Sequence, residues 1–133
     1  MEDTLINFET AKLAKDKGFN WKVSLHYESN GNRFFDKVEC NFNNVELICS
    51  APTQSLLQKW LREVHNINVE SNYLPNIKKY RCLFIPMTLK KPSEYSTPRT
   101  AFTSRLNYLG KENYNTYEKA LEAGLQEALK LIK

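Results

Sequence analysis

Cysteine is scarce in this chain of 133 residues, with only Cys40, Cys49 and Cys82. An odd, widely spaced set makes no disulfide framework, and without a CxxC pair it makes no zinc site. The three read instead as small buried hydrophobes in strand-like segments. Histidine is scarcer still: His26 and His65 lie far apart and belong to no ligand pattern, so no metal site is expected. Glycine occurs four times, and no P-loop, GxGxxG, HExxH or GxSxG motif is present. No run approaches the roughly 18 apolar residues that cross a bilayer. The opening Met1-Glu2-Asp3-Thr4 is acidic and lacks the basic and apolar regions of a secretory signal. These absences predict a cytoplasmic protein without a membrane partner or a cofactor. With no internal repeat and no Gly/Ser linker, residues 1–133 are expected to form a single domain.

The patterning that is present is that of a globular α+β protein. Asn7 caps a first helix that runs to about Lys17, and Gly18 followed by Phe19 is a Schellman stop. Lys12, Lys15 and Lys17 read as a solvated face. From Trp21 the period changes to two, with Trp21, Val23, Leu25 and Tyr27 alternating with polar residues. Asn30-Gly31 turns the chain into a returning strand, Phe34 to Phe42, and Asn43-Asn44 into a short third strand, Val45 to Cys49. Ser50 is expected to cap a second helix with Pro52 in its first turn, ending at His65-Asn66. Leu56, Leu57, Trp60, Leu61 and Val64 form its apolar stripe, which makes Trp60 a core residue.

Ile67 and Val69 begin a fourth strand, with a turn at Tyr73 to Pro75. Tyr80 to Met87 is a fifth strand, Lys90 to Pro98 a long loop, and Thr100 to Leu109 a sixth strand. Asn115 or Thr116 caps a last helix to Lys133, with Tyr117, Leu121, Leu125, Ala128 and Ile132 on one face. Gly124 lies in that face. A glycine there costs about 1 kcal/mol of helix propensity, which close approach to a neighbour would offset. The pair Glu118 and Glu122 reads as part of the outer, solvated face. The expected architecture is α-β-β-β-α-β-β-β-α: a mostly antiparallel sheet of about five or six strands with three helices.

Charge is spread unevenly. The chain as a whole carries +4, yet Lys78, Lys79, Arg81, Lys90, Lys91, Arg99, Arg105 and Lys111 fall in one window whose single acid is Glu94. Tyr80, Phe84, Tyr95, Phe102 and Tyr108 are interleaved with them. Lysine and arginine neutralise phosphates, and aromatic rings stack on unpaired bases. The same residues also fit a plainer reading. In a strand Lys79 and Arg81 point one way and Tyr80 the other, so the aromatics would be core and the cations a solvated face.

The segments Asn7–Phe19, Ala51–Ile67 and Thr116–Ile132, taken together, resemble a family of small proteins encoded by bacteriophages and prophages of Bacteroidota. The resemblance covers the three helices. It implies a phage-related, soluble intracellular protein and supplies no activity and no site residues. Lys119 departs from the glutamate that would complete a capping box from Thr116.

The sequence therefore points first to a non-enzymatic binding or accessory protein that engages an acidic partner through the basic region at 78–111. The partner would be nucleic acid, a phosphorylated ligand such as a nucleotide, or an acidic protein surface. A structural or oligomeric virion or assembly protein is the alternative. An enzyme would require a pocket gathering groups such as His26, Asp36 and Cys49.

Overall fold

The computed structural model describes residues 4–86, 107–108 and 114–132, and for 83–86 and 107–108 only the backbone. Helix α1 spans Phe8–Asp16, strand β1 Val23–Tyr27, β2 Arg33–Cys40, β3 Cys49–Ser50, helix α2 Gln54–Val64, β4 Ile67–Leu74, β5 Lys79–Pro86, β6 Asn107–Tyr108 and helix α3 Tyr117–Lys130. A 3₁₀ turn at Phe42–Asn44 separates β2 from β3. Among the described residues the fold is α+β, with three α-helices, and each strand pair is antiparallel. Among the described residues the strands form two sheets of three, in the orders β2-β1-β3 and β4-β5-β6, and not one continuous sheet. The reason is visible at α2, which follows β3 directly and carries the chain away before β4 begins.

Local chemistry explains each helix end. The Asn7 side chain accepts from the Thr10 amide at the start of α1. At its end Gly18 adopts φ +93°, Phe19 N–H donates to the Ala14 carbonyl, and Gly18 N–H to that of Lys15. This is the Schellman arrangement, and it seats Phe19 in the core, edge-on to Trp60 at 5.2 Å. The cap of α2 is Thr53, whose hydroxyl accepts from Leu56 N–H. Ser50 is fully buried in β3 instead, where its hydroxyl accepts from Phe42 N–H. His65 closes α2 and Asn66 turns the chain at φ +57°. Thr116 caps α3 by accepting from Lys119 N–H, the one-sided cap that a lysine at that position allows.

Three expectations need correction beyond the sheet and the Ser50 cap. The third strand is shorter and later than Val45 to Cys49. Residues 45–48 form a loop in which Leu47 takes φ +72° and the Lys15 ammonium donates to the carbonyls of Val45 and Ile48. Lys15 is thus a strut, as is Lys17, which donates to the carbonyl of Ile132. The turn expected at Tyr73 to Pro75 falls later: β4 and β5 pair in unbroken register from Ile67↔Pro86 to Leu74↔Lys79, and Lys78 at φ +54° makes the reversal. Finally, Glu122 does not lie on a solvated face. Its carboxylate accepts from Asn7 N–H (3.0 Å), from the Thr10 hydroxyl and from the Gln54 side-chain amide (2.9 Å). Thr10 and Gln54 are themselves buried.

Helix α3 packs on β4 and β5 and touches both α1 and α2. Its Ala120, Leu121, Leu125, Ala128 and Leu129 are buried, as are Leu57, Trp60 and Leu61 of α2. Gly124 permits the close approach to the hairpin, since a Cβ there would stand 2.9 Å from Val69 Cγ1 and 3.1 Å from Cys82 Cβ. Both are below ordinary van der Waals contact, and both neighbours are fully buried. Gly124→Ala is therefore expected to destabilise the fold by about 1–3 kcal/mol despite alanine's better helix propensity. Glu122→Ala strands the Asn7 and Gln54 donors and should cost about 1–3 kcal/mol. Urea denaturation of the two variants measures both effects.

Candidate functional site

The β4–β5 hairpin has two unlike faces. Val69 and Cys82 lie fully buried beneath α3, and Ser71↔Cys82 and Tyr73↔Tyr80 continue that inner face toward the hairpin tip. Asn72↔Arg81 and Leu74↔Lys79 belong to the outer face. Lys79 and Arg81 thus share a face that Tyr80 does not, as strand alternation requires. Of the eight cations in the basic window, Lys78, Lys79 and Arg81 are placed by the structure. Lys90, Lys91, Arg99, Arg105 and Lys111 lie outside the described residues, as do the side chains of Phe84 and Tyr108.

At the tip the faces meet. Tyr80 and Tyr114 exchange both backbone hydrogen bonds (2.9 and 3.1 Å), which sets the start of α3 beside the start of β5. The Lys79 ammonium donates to Asn115 Oδ1, and so wraps around the strand edge to the α3 side. Lys78 is exposed in the turn. Three tyrosines from three elements gather at this point. The ring of Tyr80 lies 5.1 Å from that of Tyr73, tilted by 56°, and 6.4 Å from that of Tyr117, perpendicular to it. Tyr73 is 50% exposed and Tyr117 42%. Neither falls in the basic window, so charge and aromatic interleaving along the chain missed them. The β-pairing of Tyr73 with Tyr80 is what brings the first two together.

Tyr80 and Tyr117 also line a groove of about 780 Å³ between the starts of α2 and α3. Gln54, Ser55 and Gln58 of α2, together with Thr4, Asn115, Thr116 and Leu121, complete its described lining. Glu118 is the carboxylate among its described lining residues. The volume is in the range of small-molecule pockets, and the described lining offers hydroxyls, amides and aromatic rings. Burial raises the pKa of the neighbouring Tyr114 phenol, with a further push from Cys82, so the hydroxyl stays protonated.

A second cluster sits on the first sheet. A register shift between Val23 and Leu25 bulges β2 beyond Phe35. Next to this bulge Asp36 Oδ2 lies 2.9 Å from His26 Nδ1, while Glu28 Oε1 lies 3.7 Å from Nε2. The imidazole is held between the rings of Phe34 (5.8 Å) and Phe42 (4.6 Å) and is 9% exposed. His26 and Asp36 are therefore brought together, which spacing in sequence did not reveal. Their setting braces a hairpin: the ring packs against two phenylalanines and is not among the residues that line the groove. Cys49 is elsewhere, paired with Tyr27 in β3, and His65 packs edge-on to Trp60. Among the described residues no group of three or more His, Cys, Asp or Glu side chains could hold a metal ion.

The cysteines divide. Cys49 and Cys82 are buried, while Cys40 is exposed, contrary to the expectation that all three are core. Burial pushes the Cys49 thiol up against the opposing pull of Lys15 and Lys12. A thiol reagent at neutral pH is thus expected to label Cys40 rapidly, and Cys49 and Cys82 only after unfolding, which mass spectrometry of the labelled peptides checks.

No helix among the described residues is long and apolar enough to cross a membrane. No protein-family model, curated protein or solved structure matches the chain, so its function has to be read from the site itself.

Proposed function

We propose that the chain is a non-enzymatic binding protein that engages an acidic partner at the tip of the β4–β5 hairpin. The observation that carries this reading is the placement of Lys79. Its ammonium is drawn onto Asn115 at the mouth of a groove walled by tyrosines and amides, with Lys78 exposed beside it. An ammonium has three donors and Asn115 takes one, which leaves the charge available to phosphate or carboxylate. Lys90, Lys91, Arg99, Arg105 and Lys111 belong to the same proposal through their place in the basic window. The likeness of the three helices to those of Bacteroidota phage proteins supports a host-cytoplasmic accessory role.

Association with an acidic partner should weaken steeply with salt, because each neutralised phosphate of a single strand contributes about 0.7 to the log–log slope. The double variant Lys78→Glu/Lys79→Glu should elute from heparin at clearly lower salt than the parent protein. Its melting temperature should hold to within a few degrees, since neither residue is in the core. Retention that is insensitive to both salt and charge reversal would overturn the reading.

A second reading, self-assembly, is favoured by one observation. Strand β2 is an edge strand whose Phe35 and Val38 are 70% and 75% exposed. Light scattering on the eluting protein decides it: a stable dimer that Val38→Lys returns to monomer would establish β2 as its interface.

A further inference from the structure

We infer that the tyrosine trio at the hairpin tip is a stacking platform for successive unpaired bases, so that the acidic partner is a single-stranded nucleic acid. This rests on the binding reading above and names its ligand. Four observations carry it. Tyr73, Tyr80 and Tyr117 come from β4, β5 and α3 and form a continuous trail of rings with centroid spacings of 5.1 and 6.4 Å. The rings meet at 56° and 90°, so none is stacked in parallel on the next, and each outer ring keeps at least one face that Tyr80 does not cover. The two outer rings are about half exposed and so are accessible to a ligand. Lys79 reaches Asn115, which lines the same groove as Tyr80 and Tyr117, and Lys78 is exposed in the adjoining turn.

Together these are the two parts of a sequence-tolerant single-strand site: rings that accept base faces, and cations that track the phosphates. A trail of three rings is longer than one base, which favours a strand over a mononucleotide. The groove adds direction. The side-chain amides of Gln58 and Asn115, which already hold the Val69 carbonyl and the Lys79 ammonium, keep further hydrogen-bonding capacity for base edges, and the Glu118 carboxylate repels phosphate, so bases turn inward and the backbone runs over the lysines. A duplex hides its base faces and cannot use the platform.

The test is fluorescence anisotropy with a labelled oligothymidine strand and with a duplex of the same length, each titrated at several salt concentrations. The single strand is expected to bind at least tenfold more tightly than the duplex. Tyr73→Leu and Tyr117→Leu should each weaken single-strand binding by roughly tenfold, from the worth of a base–aromatic stack. Tyr73→Phe and Tyr117→Phe, which keep the ring and lose only the hydroxyl, should bind like the parent protein and guard against loss of fold. Equal affinity for strand and duplex, with steep salt dependence and no response to the leucine variants, would overturn the platform and leave a general cationic surface standing. No binding to either probe would overturn the platform as well, and heparin retention would then judge the acidic-partner reading separately.

Discussion

The arrangement depends on one carboxylate. Glu122, midway along α3, accepts hydrogen bonds from the backbone of Asn7 and the hydroxyl of Thr10 at the start of α1, and from the side chain of Gln54 at the start of α2. Helix starts expose backbone donors that need acceptors, and their partial positive charge attracts an anion. A single side chain holds both helices at once, α1 through a backbone donor and α2 through the Gln54 side chain, and neighbouring polar groups complete the network. Gln54 also donates to the Glu118 carbonyl, and Gln126 donates to the Thr10 hydroxyl. Buried polar groups of this kind are costly unless every member is paired. The three helices are therefore fixed by directional bonds as well as by apolar packing.

That constraint reaches the site. With α2 and α3 locked at Gln54, the groove between their first turns has a set width. With Gly124 drawn against Val69 and Cys82, α3 lies close enough to the hairpin for Tyr117 to meet Tyr80. The paired strand segment at Tyr80 and Tyr114 then delivers Asn115 to Lys79. The candidate site is thus assembled by contacts that are themselves structural, and its side chains come from segments more than thirty residues apart, as the Lys79–Asn115 bond shows.

Local signals were legible in the sequence where a single residue dictates a conformation. Asn7, Gly18 with Phe19, Asn66 and Thr116 mark helix ends because capping and positive φ are properties of the residue itself. Leu57, Trp60 and Leu61 of α2, Leu121, Leu125 and Ala128 of α3 and the close approach at Gly124 followed from periodicity, whereas Val64 and Tyr117, counted in the same stripes, are exposed. What failed was non-local. The division into two sheets depends on where α2 leads the chain. Glu122 looked solvated because its partners are contributed by other helices. Ser50 looked like a cap because serine is a good one, but Thr53 sits nearer the first turn and Ser50 is taken by Phe42. The site was half visible: Lys79 and Tyr80 stood out in the basic window, whereas Tyr73 and Tyr117 became part of it only through strand register and helix packing. The His26–Asp36 pair was hidden for the same reason, since the β2 bulge that aims Asp36 leaves no mark on the alternation.

The hairpin reversal at residues 75–78 lies at the far end of a strand pair that α3 grips nearer its middle. Pro75, Asn76, Ile77 and Lys78 are all exposed there. Lengthening such a turn costs only loop-closure entropy, about 0.6 kcal/mol per doubling. The tip can therefore be rewritten, in length and in composition, without disturbing the helices that carry it. The stability of the helical scaffold is thereby uncoupled from the chemistry displayed at the turn.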